Sequence, residues 1–115
     1  MVQLIPGPDE APRKPAMQAD PPPTIEILIP IHNEWHVLRP CLDSVEAFTT
    51  QVPNLSITIL DDGSDVFVQQ RIRAWVDSGG IPKRILRNES ALGFVQNSNR
   101  GFRESTADMV LLSQQ

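Results

Sequence analysis

Apolar residues along the chain fall into short runs, separated by stretches where they recur at helical spacing. Residues 25–30, IEILIP, are nearly continuous apolar and β-branched, and residues 56–60, SITIL, repeat that character, so both predict short buried strands. Residues 83–87, KRILR, and 109–112, MVLL, predict two more. Between the first two runs, Val37, Leu38, Cys41, Leu42, Val45 and Phe48 form a helical stripe, with Asn33 placed to cap it and Glu34 suited to its first turn. Pro40 falls inside that stripe, so the helix either starts late or kinks there. Val68, Ile72, Trp75 and Val76 make a second stripe within residues 66–77, closed by Gly79 and Gly80. After a polar loop at 88–93, residues 94–104 predict a third helix.

The resulting order is β-α-β-α-β-α-β. Strands apolar on both faces and separated by amphipathic helices predict an α/β fold: a Rossmann-like half with four mainly parallel strands alternating with three helices. In such sheets ligands sit in the crevice at the carboxyl ends of the strands, where residues 30–34, 61–64 and 88–93 would gather. The sharpest of these boundaries is ITILDDGS at 57–64, a buried run that ends in two carboxylates, a glycine and a serine.

Composition changes the picture mainly at the amino terminus. Seven of the eleven prolines lie in the first 23 residues, which predicts a disordered, proline-rich arm over 1–23 and a single folded unit over 24–115. A unit of that size buries roughly 60–68% of its unfolded surface, enough for one modest core. The net charge of −4 carries no electrostatic footprint for nucleic acid, so nucleic-acid polymers are not expected partners. The lone Cys41 has no partner for an internal disulfide and sits on the apolar stripe, which predicts an inert thiol in a reducing cytoplasm. Residues 2–5 are too short an apolar stretch for a signal-peptide core, and no run approaches the length of a spanning helix. The expected location is cytoplasmic, soluble or peripheral to a membrane.

Four blocks then carry a likeness: IEILIPIHNE at 25–34, CLDSV at 41–45, ITILDDGS at 57–64 and LRNESALGFVQNSNRG at 86–101. In this order and spacing they resemble the family 2 glycosyltransferases of the GT-A fold, which move a sugar from a nucleotide-diphosphate sugar (UDP, GDP or TDP type) to an acceptor. The resemblance implies that Pro30, His32, Asn33 and Glu34 touch the nucleotide base and that Asp62 hydrogen-bonds a base nitrogen. An ionised carboxylate only accepts, and the edge of a uracil or guanine ring offers N–H donors. It further implies that Asp61 braces the loop, that Gly63 lets the backbone turn beside the ligand, and that Leu92, Gly93 and Phe94 wall the pocket. Asn99 and Arg100 follow near the donor.

Each of these residues also has a role that needs no ligand. His32 serves as a surface polar group, Asn33 as a cap, Glu34 as a first-turn acid, and Asp62 as an acceptor for the Gly63 and Ser64 amides. Arg87, Arg100 and Arg103 serve as solvated cations, and Trp35 and Trp75 as packing residues. The family's next landmark is an aspartate-led motif that holds Mg²⁺ or Mn²⁺ across the donor diphosphate. Here residues 109–112 are followed by Ser113, Gln114 and Gln115, so glutamine stands where the first aspartate is expected. Glutamine is a poor ligand for a hard cation, and no metal site is expected within this chain. The acceptor-binding half and its catalytic base also fall outside it, leaving the catalytic residues unassigned. Two readings follow: a donor-binding lobe of a sugar-transferring enzyme, or a nucleotide- or partner-binding module without transfer activity. A dinucleotide-binding domain is disfavoured because the first loop, residues 30–33, contains no glycine. A lobe of this kind exposes a sheet edge through which copies could associate.

Overall fold

The computed structural model describes residues 2–6, 21–49 and 51–113. In chain order the elements are β1 (Val2–Pro6), β2 (Ile25–Ile31), α1 (Trp35–Thr49), β3 (Leu55–Asp62), α2 (Val66–Asp77), β4 (Lys83–Asn88), α3 (Phe94–Glu104) and β5 (Met109–Ser113). The strands form one sheet in the order β1-β5-β2-β3-β4. Strands β5, β2, β3 and β4 are mutually parallel, with Ile27 opposite Ile57 and Leu111, and Ile57 opposite Lys83. The chain therefore steps outward from β2 to β4 and returns to the other side of β2 as β5, which puts the switch point between the carboxyl ends of β2 and β5.

The period of two along each strand divides the core. Ile27, Ile29, Ile31, Leu55, Ile57 and Ile59 pack on one face with Leu38 and Leu42 of α1 and with Val68, Ile72 and Trp75 of α2. Leu28, Leu60, Val110 and Leu112 pack on the other with Leu86 and Phe102. On this second face α3 lies close enough that a Cβ at Gly101 would come within 2.8 Å of Leu60 Cδ1 and 2.9 Å of Leu28 Cδ1. Glu26, at the amino end of β2, is buried but fully partnered. It accepts hydrogen bonds from the Thr58 and Ser105 hydroxyls and pairs with Arg84 Nη2 at 3.2 Å. Burying that charge is tolerable because each carboxylate oxygen has a donor.

Two expectations need correction. Val2–Pro6 is a strand, antiparallel to β5 with Leu4 opposite Leu111, where the proline content predicts an arm starting at residue 1. The run VQLIP is apolar and carries its proline only at the end, so it pairs along an edge before the proline-dense sequence begins. The rest of the arm, residues 7–20, lies outside the described residues. In α1 the buried line is narrower than the six-residue stripe: Leu38 and Leu42 are fully buried, while Val37 is 40% and Phe48 60% exposed. Pro40 lies inside α1, which runs from Trp35 to Thr49 around it, leaving the His36 carbonyl without its usual helical donor. Among the described residues no helix is long and apolar enough to cross a membrane.

Candidate functional site

The carboxyl ends of β2, β3 and β4 are drawn together by hydrogen bonds that begin at the paired carboxylates. Asp61 and Asp62 are successive residues of a strand, so they point to opposite faces of the sheet. Both are nearly inaccessible, at 1% and 4% exposure. Asp61 accepts the Ser64 amide at 3.1 Å and Arg87 Nη1 at 2.7 Å. Asp62 Oδ1 accepts Asn88 Nδ2 at 2.9 Å and the Leu92 amide at 2.8 Å, and its Oδ2 accepts the Gly93 amide at 2.9 Å. Asp61, and not Asp62, therefore serves the turn at Ser64, whereas Asp62 reaches across to the loop after β4.

Burial by itself would raise the Asp62 pKa. The Leu92 amide, the Asn88 side-chain amide, the Gly93 amide and the charge on His32 together outweigh it and hold the carboxyl below its ordinary value. Asp62 is thus an ionised acceptor whose field is directed at the loop amides.

The first loop is tied in by a different device. Asn33 and Glu34 both have positive φ, 57° and 54°. Two consecutive non-glycine residues in that region cost of order 1–3 kcal/mol each. What holds them is visible: the Asn33 amide donates to Ser64 Oγ at 2.8 Å, and Asn33 Oδ1 accepts the Asp65 amide at 2.8 Å. Asn33 consequently does not cap α1. It fastens the loop after β2 to the turn before α2, where Asp65 supplies the N-cap by accepting the Val68 amide. Glu34 likewise precedes the first helical turn, and its carbonyl accepts the amides of Val37 and Leu38. His32 Nδ1 donates to the Asp62 carbonyl at 2.6 Å, and its Nε2 lies 3.5 Å from Asn33 Nδ2.

Gly63 closes the arrangement. Its φ is 71°, and a Cβ there would sit 2.8 Å from the Ala91 backbone nitrogen, so the turn after β3 packs directly on the loop after β4. Asn97 of α3 donates to the Leu60 carbonyl at 2.9 Å and accepts Asn88 Nδ2 at 3.0 Å. Arg100 Nη1 donates to the Arg87 carbonyl at 2.7 Å and to Asn88 Oδ1 at 2.6 Å. Arg87 and Arg100 are therefore part of this scaffold, where the sequence suggests solvated cations.

All eight residues singled out from sequence lie at this edge: Pro30, His32, Asn33 and Glu34 on the first loop, Asp61, Asp62 and Gly63 on the second, and Gly93 at the start of α3. Sequence reasoning missed Asn88, Asn97 and the clamp from Asp62 to Leu92 and Gly93. The available signal was polar Asn97 and Ser98 falling on the same helical face as Gly101, a face that proves to be buried. Leu92, Phe94 and Val95, together with Val66 and Phe67, leave an exposed apolar rim around the same edge. Among the described residues no three His, Cys, Asp or Glu side chains converge to hold a metal ion. Asp61 and Asp62 are committed to N–H donors, so the residues present here do not fit a divalent cation.

Four parallel strands with their switch point beside three interlocked polar loops define a Rossmann-like α/β domain, the architecture in which ligands generally sit at the carboxyl ends of the strands. The family model for glycosyl transferase family 2 matches residues 26–113, and the chain belongs to that family. Among solved structures it is similar to the mannosyltransferase PcManGT from Pyrobaculum calidifontis in complex with GDP-Man and Mn²⁺, with a TM-score of 0.66 and 17% sequence identity. That likeness covers 92% of this chain and 28% of the mannosyltransferase chain. No curated protein matches.

Proposed function

We propose that this chain forms the donor-nucleotide part of an enzyme that transfers a sugar from a nucleotide-diphosphate sugar to an acceptor. The observation that carries the reading is the convergence of three loops on one edge, with Asp62 holding the Leu92 and Gly93 amides in place. Pro30, His32, Asn33 and Glu34 then form the base-contacting wall, and Gly93 brings exposed backbone close to the ligand. Asp62 acts mainly by positioning. Three N–H donors already occupy it, and a base nitrogen reaching Oδ2 adds a fourth. Glu34 is exposed on the first loop and is the freer acceptor for a ring N–H.

Membership of the family supports a nucleotide-sugar donor of the GDP, UDP or TDP type, and the GDP-Man carried by the similar mannosyltransferase favours GDP among them. The Mn²⁺ in that structure supports a divalent cation in the complete reaction. When bound, such an ion neutralises the leaving diphosphate. The residues of this chain position the base and the loop amides, and none is assigned to the ion. The single, half-buried Cys41 suits a reducing cytoplasm.

Calorimetric titration with GDP, UDP and TDP, with and without Mn²⁺, tests this reading. Binding of one nucleotide in preference to the others supports it, and absence of binding by all three refutes it. Binding that is weak and indifferent to Mn²⁺ favours the second reading, a nucleotide-binding module without transfer, to which the full engagement of Asp61 and Asp62 also points.

A further inference from the structure

Five acids lie on the three loops at the carboxyl edge: Glu34, Asp61, Asp62, Asp65 and Glu89. Three are employed within the fold: Asp61 holds the Ser64 amide and Arg87, Asp62 holds Asn88 and the amides of Leu92 and Gly93, and Asp65 caps α2 at the Val68 amide. Glu34 and Glu89 are exposed, and among the described residues no donor reaches either carboxylate. Of these two only Glu34 has a positive φ, at 54°.

That backbone is costly for a glutamate and brings it no structural return. Glycine and asparagine enter the left-handed region readily, whereas a glutamate there stores strain. The ties that hold the loop, from the Asn33 amide to Ser64 Oγ and from the Asp65 amide to Asn33 Oδ1, belong to Asn33. Glu34 stands where α1 would be capped, since its carbonyl accepts the amides of Val37 and Leu38. Serine, threonine, aspartate or asparagine at such a position bonds the first free amides through its side chain, and the Glu34 carboxylate bonds none of them. Strain of this kind, uncompensated by the residue's own contacts, gathers where a ligand is held.

With both oxygens free, the carboxylate can accept two parallel hydrogen bonds. Guanine offers the matching pair on one edge, a ring N–H beside an exocyclic amino group. Uracil and thymine offer a ring N–H between two carbonyls, so a second carboxylate oxygen would face another acceptor. Asp62 is poorly placed to make this distinction, because three N–H donors already occupy it. Resting on the reading that this edge receives the donor nucleotide, we infer that Glu34 is its specificity-determining residue and selects guanine by a bidentate contact to the ring N–H and the amino group.

The test titrates the full chain with GDP, inosine diphosphate and UDP by calorimetry. Inosine diphosphate differs from GDP in lacking the amino group. GDP is expected to bind at least about ten-fold more tightly than either, the scale of one hydrogen bond to a charged group. Glu34→Gln keeps the length of the side chain but sets an NH₂ against one of the two guanine donors, so the preference for GDP over inosine diphosphate should vanish while the urea midpoint stays unchanged. Glu34→Asn, which suits a positive φ, should lose the same preference and unfold at an equal or higher urea concentration. Glu89→Gln should keep the preference. Equal binding of the three nucleotides, tighter binding of UDP, or a preference retained in Glu34→Gln overturns the inference and leaves the nucleotide reading standing. So does a lowered urea midpoint in both Glu34 variants, which would make the side chain structural. Binding of none of the three overturns the nucleotide reading and this inference with it.

Discussion

Replacing Asp62 with asparagine isolates the clamp that holds the loop after β4. The best rotamer keeps an oxygen at the Oδ1 position, where it still accepts Asn88 Nδ2 and the Leu92 amide, and turns its NH₂ toward the Gly93 amide, donor against donor. One charge-assisted hydrogen bond is lost and the other two become neutral. A hydrogen bond to a charged group contributes about 1.5–3 kcal/mol, and Gly93 is exposed enough to recover water, so the expected cost is about 2 kcal/mol at neutral pH. With a urea dependence near 1–2 kcal/mol/M, this lowers the unfolding midpoint by about 1 M or more.

The pH dependence supplies a second constraint. The folded-state pKa of Asp62 is depressed, so its contribution is present above the unfolded value of about 4 and is lost as pH falls through the folded value. The gap between parent and Asp62→Asn should therefore be full at neutral pH and close in acid. Urea titrations of both proteins across that range read it directly. A cost below about 0.5 kcal/mol at neutral pH, the scale of an ordinary surface substitution, would refute the reasoning, as would a gap that does not change with pH.

Gly63→Ala should cost about 2–3 kcal/mol, since it adds a Cβ 2.8 Å from the Ala91 nitrogen at a φ of 71°; urea unfolding together with accelerated exchange of the Leu92 amide checks this. Leu42→Ala removes a fully buried side chain from the face shared with α2 and should cost about 2–5 kcal/mol by the same unfolding measurement, without altering nucleotide preference. Asn33→Ala removes the Oδ1 acceptor of the Asp65 amide while keeping an unfavourable φ, for an expected loss of about 1–2 kcal/mol and weaker nucleotide binding by calorimetry.

The parallel α/β order was legible because β2 and β3 are apolar on both faces and because α2 and α3 have clean boundaries. Gly79 and Gly80, both at positive φ, end α2 where the sequence suggests. The loops at 30–34, 61–64 and 88–93 could be placed at one edge from connectivity alone. What could not be read was how they interlock. Whether a carboxylate serves its own turn or a loop 30 residues away depends on which face of β3 it occupies at the strand end, and that is set by register. The edge pairing of Val2–Pro6 was hidden by the prolines that follow it, since composition averaged over the first 23 residues conceals a five-residue strand. The buried side of α3 escaped the apolar pattern because it packs through Asn97, Ser98 and Gly101, polar and small residues that let the helix approach the sheet.

The central claim is that the three interlocked loops receive a nucleotide. It is tested most directly by mapping amide chemical shifts during a titration with GDP, and with UDP if GDP does not bind. The account predicts shifts concentrated at residues 30–34, 62–64 and 92–93. Shifts confined to the cavity of about 480 Å³ at the opposite end of the strands, around Thr24, Asn54 and Thr106, would contradict it, as would none at all.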